Sequence, residues 1–235
     1  DYELQLVNGL DPQGFRSEDW IKNGRQGAFE VNNFTSPAFV ARVNYHGVKG
    51  LRVGASFYYN QTAKNGTKPW RNTGYKFPVT IVTGDLQYKG FNNNLIVRGN
   101  AVYGNLGASG ALTTINNSSS AASGYPNTTV AQNAVSYGGE AGYNIGSFFH
   151  SKAPRIYPFI RYEYYNPMEK TEANTGLLAD KRFQVSAVTA GLNYYALPNL
   201  VIKADYTHRS IGGGKYNDEN LVSVGIAYIG WFIKK

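Results

Sequence analysis

The charged residues best placed to do chemistry in this chain recur at alternate positions. Lys203, Asp205 and Arg209 interleave with Leu200, Ile202, Ala204 and Tyr206. Successive side chains of a strand point to opposite faces, so this spacing separates a charged face from an apolar one. Strand-like stretches upstream add Glu3, Arg42, Arg52, Asp85, Arg98, Glu140, Arg161 and Glu163 to the charged parity, giving six bases and five acids. The chemistry open to such a set is electrostatic: charges on a polar face can hold water and passing ions in a channel. A second basic set, Lys64, Lys68, Arg71 and Lys76, occupies the loop 60–78 without any acid. It reads equally well as a rim meeting anionic lipid groups and as a vestibule that concentrates anions before a pore.

Bond-breaking chemistry finds less support. A hydrolase needs a nucleophile, a base and an orienting group together. His46 and His150 fall in short turns and His208 near a strand end, none with a Ser or Asp partner at suggestive spacing. They read as solvated turn histidines, and no enzyme is expected. The run Gly212-Gly213-Gly214-Lys215 lacks the spacing of a phosphate-binding loop and a helix after it. With no Cys in the chain, thiol nucleophiles, disulfides and thiolate metal sites are excluded. Asp180, Asp218 and Glu219 are scattered in loops, so neither a metal nor a cofactor is expected. Nucleic-acid binding is not expected either, because the aromatics follow the strand period instead of interleaving with bases on one face. Triplets such as Asn127-Thr128-Thr129 are chance products of an Asn/Thr-rich loop rather than glycosylation sites.

The elements that must carry the charged face are strands. Ten segments show strand character: 2–8, 38–45, 51–59, 79–88, 95–103, 135–145, 156–165, 183–195, 200–209 and 221–232. Most reach the ~9–11 residues with which a tilted strand crosses a bilayer, above the ~5–6 usual in soluble sheets. No apolar run approaches the ~20 residues of a membrane helix, and no sustained 3.6-residue period is visible. Short and long connections alternate strictly. Turns at 46–50, 89–94 and 196–199, with an intermediate one at 146–155, separate the long loops 9–37, 60–78, 104–134, 166–182 and 210–220. That alternation is the signature of an up-and-down membrane barrel, with tight periplasmic turns and long outer loops. The loop 104–134 carries no charge and reads as a solvated run or one draped over a barrel mouth.

In this all-β reading, residues 1–235 form one transmembrane antiparallel barrel domain. The apolar parity faces lipid: Phe39, Ala41, Val43 and Tyr45; Leu86 and Tyr88; Leu95, Val97, Ala101 and Tyr103; Ile160, Tyr162 and Tyr164; Leu200, Ile202 and Tyr206; Val222, Val224, Ile226 and Tyr228. Tyrosines near strand ends (Tyr45, Tyr59, Tyr88, Tyr103, Tyr195, Tyr228), with Trp231 and Phe232, form interfacial girdles. Arg42, Arg52, Asp85, Arg98, Glu140, Arg161, Glu163, Lys203, Asp205 and Arg209 then line a pore, since charge in mid-bilayer costs several kcal/mol. Small residues on the outer face, Gly99, Ala101, Gly139 and Ala141, offer a flat subunit contact. The net charge of +8 comes mainly from the loop 60–78 and from turn-side Lys49, Lys89, Lys152, Arg155, Lys234 and Lys235, so the wall itself is nearly balanced.

The opening Tyr2-Glu3-Leu4-Gln5-Leu6-Val7-Asn8-Gly9-Leu10 resembles the phosphate-selective porin O and P family. So do Gly50-Leu51-Arg52-Val53-Gly54, Gly84-Asp85-Leu86, Arg98-Gly99-Asn100 and Pro158-Phe159-Ile160-Arg161-Tyr162-Glu163. The chain looks like the C-terminal part of such a porin. The resemblance implies a Gram-negative outer-membrane location, a barrel of about sixteen strands, a homotrimer and contact with lipopolysaccharide. The start within a strand agrees with further strands before Asp1; a closed ten-stranded barrel is the alternative. The family's basic phosphate ladder does not align residue by residue, and the wall is balanced. The expected function is therefore passive diffusion of small polar solutes with mild anion preference. The alternative is a docking barrel with a plugged lumen, whose long loops bind a partner.

Overall fold

The computed structural model describes residues 1–26, 34–65, 75–120, 129–149 and 154–228. Ten strands form one antiparallel sheet in which each strand pairs only with its neighbours in sequence. They are β1 (Tyr2–Val7), β2 (Ala38–Tyr45), β3 (Leu51–Gln61), β4 (Pro78–Gly90), β5 (Leu95–Leu106), β6 (Asn133–Tyr143), β7 (Arg155–Lys170), β8 (Val185–Leu197), β9 (Leu200–Ile211) and β10 (Asp218–Tyr228). All ten expected strands are present, with ends displaced by a few residues. β1 and β10 do not pair with each other, so among the described residues the sheet is open. No described helix is long and apolar enough to cross a membrane.

Register fixes which side chains share a face, because directly paired residues point the same way. Arg42 pairs with Glu3 and Ser56, Asp85 with Gly54 and Asn100, and Arg98 with Gln87 and Glu140. Arg161 pairs with Glu140 and Thr189, and Glu163 with Gly138 and Ala187. Arg209 pairs with Ala187 and Glu219, and Lys203 and Asp205 precede it with the same parity. One face therefore collects all of these charges. The other carries exposed apolar side chains from every strand, among them Leu4, Val43, Val53, Leu86, Tyr103, Tyr137, Ile160, Val188, Ile202 and Val224. Soluble monomers rarely expose a contiguous apolar patch beyond a few hundred Å².

Two expectations need correction. Tyr195 belongs to the charged face, where it pairs with Val201 and Arg155, stacks edge-on with Tyr157 and lies under the Arg155 guanidinium at 4.5 Å. The parity of β8 decides this, and it removes Tyr195 from the outer girdle. Trp231 and Phe232 lie outside the described residues.

The connection 107–132 is the second correction. It contains an α-helix, α1 (Ser109–Ser120), whose Ala111, Leu112 and Ile115, with Ala108 at the cap just before it, follow the i, i+3, i+4, i+7 spacing of a buried stripe. A polar twelve-residue helix is marginal alone, so its partners hold it. Glu172, from the loop between β7 and β8, accepts the Gly110 N–H at 2.5 Å, which satisfies an orphan donor and favours the helix dipole. Leu112 joins Phe15, Trp20, Phe77, Val79, Leu106, Val130, Ala131 and Met168 in the main buried cluster. At roughly 1.5–3 kcal/mol for each large side chain buried, that cluster outweighs the low helix propensity of the Ser/Thr/Asn run. Val79 and Leu106 have the parity of the charged face. The packed loops therefore sit on that face, at its long-loop end.

Candidate functional site

The charged face is built as clusters of arginine around single carboxylates. Asp85 accepts from Arg42 Nη2 at 2.8 Å and lies 3.2 Å from Arg52 Nη2. Arg42 also donates to Ser56 Oγ at 2.8 Å. Arg42 and Asp85 stand on β2 and β4, so their contact spans the intervening β3. Gly54 makes that approach feasible, because a Cβ there would strike both the guanidinium and the carboxylate. Glu140 repeats the arrangement. Arg98 Nη1 lies 3.2 Å from its Oε1, while Arg161 Nε and Nη2 donate to its Oε2 at 2.9 and 2.5 Å. Arg161 also reaches Glu163 at 4.0 Å.

These two clusters flank a cavity of about 390 Å³ lined by Arg52, Asp85, Arg98, Glu140, Arg161 and Glu163, with backbone of Gly138 and Gly139 beside them. Further along the face, Arg209 donates to Glu219 at 2.6 Å and to Tyr165 Oη at 3.1 Å. Lys203 and Asp205 share the face without a salt bridge among the described residues. Sequence reasoning placed Glu219 in a loop, but β10 begins at Asp218 and Glu219 opposes Arg209 directly. Leaving aside Lys89 and Arg155, which share the face at its short-turn end, the wall thus carries six bases and six acids, and its charge is balanced between its ends.

Of the basic loop, Lys76 is exposed in the stretch leading into β4. Lys64 lies within the 3-10 turn Thr62–Asn65, while Lys68 and Arg71 fall outside the described residues. That turn is bound to the first connection by two buried asparagines. Asn60 accepts the Leu10 N–H at 3.1 Å and donates to Ser36 and Pro37 carbonyls at 2.8 and 3.0 Å. Asn65 accepts Ser36 N–H at 2.8 Å and donates to the carbonyls of Ser36 and Leu10 at 2.7 and 3.2 Å. Each polar atom of these amides is thereby satisfied, as burial requires.

His208 departs from expectation. It sits on the apolar face near the long-loop end, with Nδ1 3.0 Å from Asn220 Oδ1 and Nε2 3.3 Å from Ser210 Oγ. Asp218 Oδ1 lies 3.8 Å from the same Nε2 and accepts the Ser210 hydroxyl at 2.8 Å. The cross-strand pairing of β9 with β10 brings these groups together, which spacing along the chain could not reveal. Ser210 gives its proton to Asp218 rather than to the imidazole, so the group is wired as a polar clasp and not as a base-activated nucleophile. Among the described residues no group of acids and histidines is placed to hold a metal ion.

Two loop carboxyls are tuned in opposite directions. Burial pushes Asp11 above the ordinary aspartate value, opposed by the Gln13 N–H that it accepts. Asp180 is held below its ordinary value by hydrogen bonds from the Arg182 side chain and backbone N–H, and Arg182 is raised in return. No protein-family model matches this chain, and no curated protein matches it.

Proposed function

We propose that this chain is part of the wall of an outer-membrane porin, through which small polar solutes diffuse passively. The observation that carries the reading is the division of the sheet. A balanced ion-pair wall covers one face, and an exposed apolar surface covers the other across all ten strands. Water on the first face and hydrocarbon on the second meet the solvation needs of both. The strict alternation of turns with long loops supports the same reading, as does the motif resemblance to phosphate-selective porins O and P. In that reading the location is the bacterial outer membrane, and the unpaired edges of β1 and β10 are completed within a barrel of about sixteen strands. Lipopolysaccharide contacts the loop-side rim. A homotrimer contact is supported by Gly99 pairing with Gly139 on the apolar face, beside Ala101 and Ala141. No catalytic step is assigned.

Between its ends the wall favours neither ion sign, so anion preference at the outer mouth would rest on the loop 60–78 and its Lys64, Lys68, Arg71 and Lys76. A second reading, a docking barrel with a plugged lumen, is favoured by one observation: the packed loops lie on the charged face. Single-channel recording on the folded full-length protein separates the two. Stepwise conductance supports the porin, and its absence refutes it.

A further inference from the structure

We infer that the first connection, in its stretch 9–26, is a strap laid across the charged face, with Trp20 as its positioning residue and Glu18 and Asp19 as charge-selecting groups at its tip. The inference rests on the porin reading and adds which segment narrows the path and with what sign. The strap leaves β1 at Val7 and the chain enters β2 at Ala38, yet its tip rests on β5, β6 and β7. Trp20 Nε1 donates to the Ala131 carbonyl at 3.0 Å, and Ser17 Oγ donates to the Thr129 carbonyl at 2.8 Å. The indole lies over Gly104, where any Cβ would fall inside the ring. Gly104 has the parity of Arg98 and Asn100, so the seat is on the charged face. From β2 to β5 is three interstrand steps, or about 14 Å at the usual strand spacing. The chain must cover that distance over β3 and β4, where Asn60 holds Leu10.

The strap is fixed rather than loose. Trp20 has φ of 51°, a left-handed conformation that a bulky side chain adopts only where its surroundings enforce it. The surroundings here are the buried cluster around Phe15, Leu106 and Met168. The tip overhangs a pocket of about 320 Å³ lined by Glu18, Asp19, Trp20, Val102, Ser136 and Tyr165. Asp19 is partly neutralised by Lys22 at 3.7 Å. Glu18 is exposed and makes no ion pair among the described residues. Arg16, Lys22 and Arg25 belong to the same strap but do not line this pocket. Above the balanced middle of the wall, uncompensated carboxylate at the tip decides the local sign. It favours cations and neutral solutes over anions.

The chain has no cysteine, so Glu18→Cys supplies a unique thiol for a test in planar bilayers with the full protein. Modification by a negatively charged thiosulfonate, with completion checked by mass, is expected to lower conductance by about a third or more. Trp20→Ala is expected to raise conductance about 1.5-fold or more and to abolish the block in the Glu18→Cys background. Glu18→Gln is expected to move the reversal potential toward anions at near-constant conductance. Complete modification without a change in current overturns the strap and leaves the porin reading standing. A silent unmodified protein that conducts once Trp20 is replaced supports the strap as a plug and refutes the open porin. Silence of both, in folded preparations, refutes the porin reading and the strap's role with it.

Discussion

Replacing Glu140 by glutamine tests the claim that the wall is electrically balanced. Glu140 serves two arginines, Arg98 at 3.2 Å and Arg161 at 2.5 Å, and its side chain is 18% exposed. Glutamine keeps one carbonyl oxygen for Arg161 but turns its amide N–H groups toward Arg98, so one pair is lost. Both arginines remain about half exposed, which limits the stability cost to about 1–2 kcal/mol. The electrical effect is larger relative to its baseline, since six bases would face five acids. For an ion passing about 8 Å away in water, one unit charge is worth about 0.5 kcal/mol. Screening at 0.1 M salt roughly halves that. Anions gain and cations lose by the same amount, so their permeability ratio should rise about twofold in favour of anions. Reversal potentials under a tenfold salt gradient measure this directly. An unchanged ratio at unchanged conductance would mean that Glu140 does not face the permeation path, and a shift toward cations would refute the charge count.

Three further outcomes follow from the fold. Asn60→Ala removes an acceptor for Leu10 and donors for Ser36 and Pro37, at about 1–3 kcal/mol for the buried groups left unpaired; the stretch 9–26 should then be cut faster in limited proteolysis. If the apolar face meets lipid as proposed, Ile160→Arg puts a cation there at a cost of about 2–4 kcal/mol near the bilayer midplane. Asn100→Arg puts the same cation on the charged face, so a urea-unfolding comparison in lipid vesicles should show the loss only for Ile160→Arg. For Asp11 the folded value is raised, so the folded state binds the extra proton. Its contribution therefore falls as pH rises from 3.8 through the raised value. Asp11→Asn should flatten the pH dependence of strap protection in that window, while its side-chain oxygen still accepts the Gln13 N–H.

The sheet was legible because its signal is local and repeated. Alternation fixed the face of Arg42, Asp85 and Arg209 without reference to any partner, and strand pairing then had to respect it. Tyr195 misleads for an equally local reason: it lies near a strand end, as girdle tyrosines do, yet it shares the parity of Asn193 on the charged face. Glu219 was missed because β10 continues upstream of its apolar run, where pairing with Arg209 rather than hydrophobicity sustains the strand. The loops were legible only in part. Ala108, Ala111, Leu112 and Ile115 did carry a helical period, but a stripe of four in a Ser/Thr/Asn-rich run is too weak to stand without its partners. Those partners are remote: Glu172 for the helix N-terminus, Phe15 and Trp20 for its apolar side. Asn60 and His208 show the same limit, since each draws its role from residues that only the strand register brings near. In the porin reading this division is sharp for a physical reason. The strands answer to lipid and water, which a sequence records at every second residue, whereas the loops answer to one another.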